Sequence, residues 1–265
     1  MKRNIFSNSF VSLILGFLYA PITILIIYSF NQSKSRSLWK GFTLDWYIKL
    51  FQNQIIIKSL INTFIIAIVA SVIATIIGTA AAIGVNSMNK ILKSSIMSVT
   101  YIPIINPEIV TGVSLMLLFS FFKLEFGFST LILAHITFNV PYVILNVLPK
   151  VRQVDKYLYD AAMDLGCNPL LAFFKVIMPE IMPGIIAGFL MSLTFSIDDF
   201  VISYFTSGPT SQTLPIVIFS MTRRKVSPEI NALSTIIFVG ILAILLVTNL
   251  TNKKTKDKKL NSYKY

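Results

Sequence analysis

Charge is what this sequence has least of. Only 13% of its 265 residues are Asp, Glu, Lys or Arg, against 55% hydrophobic, and mean hydropathy is +0.75. A soluble domain so composed would have too little polar surface to cover itself, which predicts a polytopic membrane protein of one bundle. The single cysteine, Cys167, excludes an internal disulfide. The single histidine, His135, excludes a cluster of histidines around a metal. No GxxxxGK[ST] run occurs, so the chain binds no nucleotide by that route. Acidic residues number 11 against 23 basic ones, a net charge of +12. In a soluble protein that balance would raise nucleic acid as a partner. Here the basic residues sit mostly between and after apolar runs. Retention of cytoplasmic loops and contact with anionic lipid headgroups account for them, and no nucleic acid is expected.

What is present is a series of apolar runs. Phe10–Phe30, Leu60–Val85, Ile96–Phe122, Thr130–Leu148, Gly184–Phe205 and Ile230–Leu250 are each long enough to cross about 30 Å of hydrocarbon as a helix. The first is too long for a signal peptide and lacks a cleavage site after it, so it is read as a retained helix. The second is rich in small residues, including Ala67, Ala70, Ala74 and Gly78, and should lie centrally in the bundle. The third is interrupted by Pro103 and by Asn106-Pro107-Glu108. Leu38–Leu50, with Trp39, Trp46 and Tyr47 beside Lys40 and Lys49, suits an interfacial loop or helix or, less simply, a contact for an external partner. Six spans place both ends on one side. With the ends inside, fourteen of the 23 basic residues fall on inner segments and nine on outer ones, a modest bias toward cytoplasmic termini. The expected division is a cytoplasmic amino terminus at 1–9, a six-helix membrane domain at 10–250 and a basic cytoplasmic tail at 251–265.

Two groups of residues stand apart from this background. Asp160–Pro179 is polar at its front and lies between long apolar runs. Its pattern predicts two short helices at an angle, broken near Gly166 and Asn168-Pro169, with Pro179 preceding the next span. Glycine at 166 permits a bend and the close approach of another surface. Such helices lie on lipid or fill a groove in a partner, and the residues alone do not choose. The second group is acidic. Glu108, Asp198 and Asp199 stand in or beside apolar spans, where a charge facing lipid costs about 2.5–3.5 kcal/mol or more. They therefore face the bundle interior, as part of a pathway or as helix caps and intersubunit ion pairs. Carboxylates with aromatic faces, here Tyr101, Phe195, Phe200 and Tyr204, attract ammonium groups. Neighbouring residues on a helix point about 100° apart, so Asp198 and Asp199 do not face one path equally, and Asp198 with Glu108 is the favoured pair. His135 is read as a hydrogen-bonded residue of the bundle.

Asp160-Ala161-Ala162, three residues, Gly166, nine residues and then Val176-Ile177-Met178-Pro179 resembles the cytoplasmic loop of binding-protein-dependent ABC transporter permeases. That family's loop begins Glu-Ala-Ala and ends Ile-x-Leu-Pro; Asp160, Val176 and Met178 are departures of like kind. Gly41–Phe51, Pro107–Phe119, Phe195–Gly208, Thr213–Ser220 and Val226–Thr235 resemble the spermidine/putrescine branch of the family, so the likeness spans nearly the whole chain. The resemblance implies an all-α type I importer fold (MetI-like) with cytoplasmic coupling helices within 150–183. It implies that Asp160, Ala161, Ala162, Gly166, Val176 and Pro179 dock on an ATPase. It further implies two ATPase subunits, a second permease subunit, an external polyamine-binding protein or lipoprotein, and a bacterial plasma membrane. The chain itself would be no enzyme and bind no cofactor, ATP and magnesium being held by the ATPase. Alternatives are the same machine with another small cation as cargo, or an ATP-independent secondary transporter, which would predict inverted repeats.

Overall fold

The computed structural model describes residues 5–33, 38–155, 157–224, 228–240 and 242–243. Among these the regular elements are helices, and a single bridge pairs Asn31 with Phe42. The chain divides into two compact units, Met1–Gln54 with Ser220–Tyr265, and Ile55–Phe219.

In the first unit, α1 (Ile5–Ser29) is an apolar helix whose membrane-length window has no buried residue, as a helix bathed in lipid would. After it the chain turns on Asn31, which is fully buried. Its Oδ1 accepts the amides of Ser33 and Lys40, and its Nδ2 donates to the Leu38 carbonyl. The Asn31 carbonyl in turn accepts Trp46 Nε1–H at 2.7 Å. Trp46 lies in the first turn of α2 (Asp45–Gln52), a short amphipathic helix, and Lys49 lies 4.8 Å over its ring. Leu38–Leu50 is thus part loop and part helix. α12 (Pro228–Gly240) covers the start of the expected sixth span; most of the remainder of that span, and the tail at 251–265, lie outside the described residues.

The second unit holds most of α3 (Gln54–Ser87), then α4 (Lys90–Ile105), α5 (Glu108–Phe121) and α6 (Phe128–Gln153). α7 (Tyr157–Asp164), α8 (Pro169–Ala172), a π-helical turn (Phe173–Ile177), α9 (Met178–Asp198), α10 (Val201–Thr206) and the start of α11 (Leu214–Arg224) follow. Its centre is the antiparallel pair α6–α9. Along that pair His135 meets Ser196, Val143 meets Gly188, and Asn146 and Lys150 meet Gly184. Small residues set the spacing. A Cβ on Gly184 would fall 3.0 Å from the Asn146 carbonyl, and one on Gly78 of α3 would fall 2.6 Å from Val143 Cβ. α3 buries the small face expected of it, Ala67, Ala70, Ala74 and Gly78 included. The most enclosed of the membrane-length helices is nevertheless α6, with 56% of its window buried against 33% for α3.

Among the described residues, four helices are long and apolar enough to cross a membrane. The expected third span is bent: α4 and α5 meet at 104° across Asn106-Pro107. Pro107 supplies no amide to the helix and biases Asn106 to the extended conformation it adopts, φ −67° and ψ 141°. The helix that carries the fifth span is longer than the expected run. It begins at Pro169 and continues for 30 residues to Asp198, so Pro179 sits inside this helix and not at a break before it. Pro179 has no N–H and crowds the carbonyl four residues back; the turn before it widens, and the Met178 amide bonds to Phe173, five residues back.

Candidate functional site

Two helix breaks of the second unit, at Asn106-Pro107 between α4 and α5 and at Asp199-Phe200 between α9 and α10, meet at one cavity of about 170 Å³. From the first break come Pro103 of α4 and Glu108 and Thr111 of α5; from the second come Asp198, Asp199 and Phe200. α6 contributes Phe138 and Tyr142, and α9 adds Phe195. Broken helices are tolerated at membrane depth where they line such a space.

The electrostatics of the two ends differ. Glu108 is the first residue of α5, where helix amides favour a carboxylate. Asp198 is the last residue of α9, where the carbonyls already make the helix end negative. An exposed carboxylate added to that end deepens the negative potential and favours a cation. Aromatic faces flank it: Tyr142 and Phe195 lie 4.5 Å apart, centroid to centroid, and Phe200 packs 4.4 Å from Phe219. Their π faces are of the kind that receives ammonium groups.

Asp199 behaves differently from its neighbour. Its side chain is 5% exposed and is turned to protein. It accepts the amides of Ile202 at 3.2 Å and Ser203 at 2.6 Å, capping the first turn of α10. Of the aromatic candidates, Phe200 and Phe195 line the cavity; Tyr101 is 42% exposed and outside it, and Tyr204 is 51% exposed and stacks on Phe200 at 5.6 Å without lining it. Sequence reasoning missed Thr111, Phe138 and Tyr142. The signal for the last two was present in the helical spacing of Phe138 and Tyr142, which puts them on one face.

The Asp160–Pro179 stretch lies at the other end of α9. α7 ends in a Schellman turn: the Cys167 amide bonds to the Ala162 carbonyl and the Gly166 amide to that of Met163, with Gly166 at φ +85°. Asn168 then caps α8, accepting the Leu171 amide at 2.8 Å, with Pro169 at the first helical position. Ala162 and Ala172 are buried, while Asp160, Ala161, Gly166 and Pro179 are exposed and Val176 is half-buried. Leu165 (86%), Leu170 (71%) and Phe174 (59%) present a bare apolar surface on this segment.

Comparison with known proteins places this architecture. A bacterial ABC transporter involved in the import of the acidic polysaccharide alginate contains a chain with a TM-score of 0.69, 16% identity and 94% of both chains covered. An amino acid ABC transporter solved with histidines has a chain at TM-score 0.56, 21% identity, covering 80% of this chain and 99% of that one. At these identities the likeness speaks to fold, and the fold is that of an ABC importer permease. In sequence, the chain is 37% identical to the spermidine/putrescine transport system permease protein PotC of Haemophilus influenzae, over 96% of this chain and 99% of that protein. It is 38% identical to the putrescine transport system permease protein PotI of Escherichia coli K12, over 93% of each. The family model for inner membrane components of binding-protein-dependent transport systems matches residues 74–253, and the chain belongs to that family.

Proposed function

We propose that this chain is the permease subunit of an ATP-driven importer of polyamines, lining the path that spermidine or putrescine takes into the cell. The observation that carries the cationic cargo is the cavity in which Glu108 and Asp198 stand among aromatic faces at the negative end of α9. The names of the relatives above support the same cargo. In this reading Asp198 and Glu108 receive ammonium groups, and Phe195, Phe200 and Tyr142 hold the methylene stems between them.

Coupling follows from the continuity of the helix that carries the fifth span. The helical path from Pro169 to Asp198 is about 45 Å long at ~1.5 Å per residue. One end bears the exposed Leu170 and Phe174 and the other bears the cavity carboxylate. A groove on an ATPase subunit that takes up the apolar surface would move Asp198 through this rod. A dimer of such ATPases binds the ATP, a second permease subunit completes the path, and an external binding protein delivers the polyamine. The docking segment and both termini face the cytoplasm. Labelled spermidine uptake into vesicles holding the assembled complex tests the reading. ATP-dependent uptake that fails without the ATPase is expected; ATP-independent uptake by this chain alone would overturn it in favour of a secondary transporter.

A further inference from the structure

One buried group has no part in the reading above. His135 lies on α6 with no exposed surface and does not line the cavity. Its ring nevertheless reaches both sides of the second backbone break. Nδ1 is 2.5 Å from Ser196 Oγ on α9. Nε2 is 3.0 Å from Ser203 Oγ on α10 and 3.6 Å from Asp199 Oδ2. Between those serines the chain leaves the helix at Asp199, φ −63° and ψ 120°. Asp199 takes two amides of α10, those of Ile202 and Ser203. One arrangement of protons satisfies the ring: Ser196 O–H donates to Nδ1, and Nε2–H donates to Ser203 Oγ, while the Ile202 and Ser203 amides satisfy Asp199. A buried network so closed resists rearrangement, because moving one member leaves the others unpaired.

We propose that His135 is a positioning residue for the cation site. It sets the angle between α9 and α10 at the Asp199 break, and with it the direction in which Asp198 and Phe200 enter the cavity. This role rests on the cavity being the polyamine path. α10 is held on another side by α5: a Cβ on Gly112 would lie 2.9 Å from Phe205 and 3.4 Å from Ile202 Cα. α5 begins at Glu108. The ring therefore ties both carboxylate-bearing breaks into one frame without touching the cargo, and acts through Ser196, Ser203 and Asp199.

Two measurements on the assembled complex in vesicles test this. His135→Ala should raise the spermidine KM about tenfold with maximal uptake rate retained, and Ser203→Ala about threefold in the same direction. Separately, with Cys167 replaced by serine, Asp198→Cys is reacted with a cationic methanethiosulfonate reagent. Adding His135→Ala should change that reaction rate by about fivefold or more. A wild-type KM in Ser203→Ala, or an unchanged thiol rate, overturns the proposal. If His135→Ala fails to assemble, Ser203→Ala decides both measurements, since it removes a single oxygen. Wild-type vesicles that import no spermidine would overturn the polyamine reading instead, and the thiol rate alone would then decide the positioning role.

Discussion

Asp198 and Asp199 are chain neighbours with opposite surroundings, one exposed at the cavity and the other turned into protein. Removing charge from Asp198 should therefore cost affinity and not assembly. Asp198→Asn is expected to raise the spermidine KM about tenfold, equivalent to about 1.4 kcal/mol, with the complex purifying at wild-type yield; an unchanged KM would return the residue to a structural role. At Gly166 the need for glycine is conformational. Its place in the loop suggests close approach of another surface, yet a Cβ there would meet nothing within 4 Å of this chain. What requires glycine is the left-handed φ of +85° that closes the Schellman turn. Gly166→Ala should destabilise that turn by about 1 kcal/mol, read as faster amide exchange at positions 166 and 167. The separate Asn168 cap of α8 should keep its protection at Leu171.

At the scale of elements, breaks matter as much as helices. The bend at Asn106-Pro107 and the step at Asp199 bring α4, α5, α9 and α10 to one cavity. The first was written in the chain, since a proline after asparagine cannot continue a helix without cost. The second was not, because nothing in Ile197-Asp198-Asp199-Phe200 forbids a continuous helix. It needs the capping of α10 by Asp199 and the serines bound to His135, and the histidine's bonds join distant segments. The π turn at Phe173–Ile177 follows locally from Pro179. Pro179→Ala should let that turn close to α geometry, shifting one residue of register and rotating α8 by about 100° relative to α9. The expected outcome is a severalfold rise in ATP hydrolysed per spermidine imported, with insertion unchanged. A wild-type ratio would mean that the turn does not carry the coupling.

For the whole molecule, orientation is the decisive property, and the chain carries its own probe. Cys167 is its only cysteine and sits partly exposed in the proposed docking segment. A membrane-impermeant thiol reagent should label inside-out vesicles and leave right-side-out ones unlabelled; the reverse pattern would invert the topology. Composition and the apolar runs determined a helical membrane protein, because runs of that length and apolarity satisfy their backbone in lipid as helices. The turn and cap residues between Asp160 and Pro179 likewise marked a break between short helices, since such residues act over a few positions, while the resemblance of the loop's pattern marked the family. Only the tertiary structure decided that α6 is the most enclosed of the described membrane-length helices, that the helix of the fifth span runs on from Pro169, and that Glu108 and Asp198 share a cavity while Tyr101 and Tyr204 stay outside it. Those outcomes depend on which helix faces meet, and a run of residues apolar on every side does not specify which face that will be.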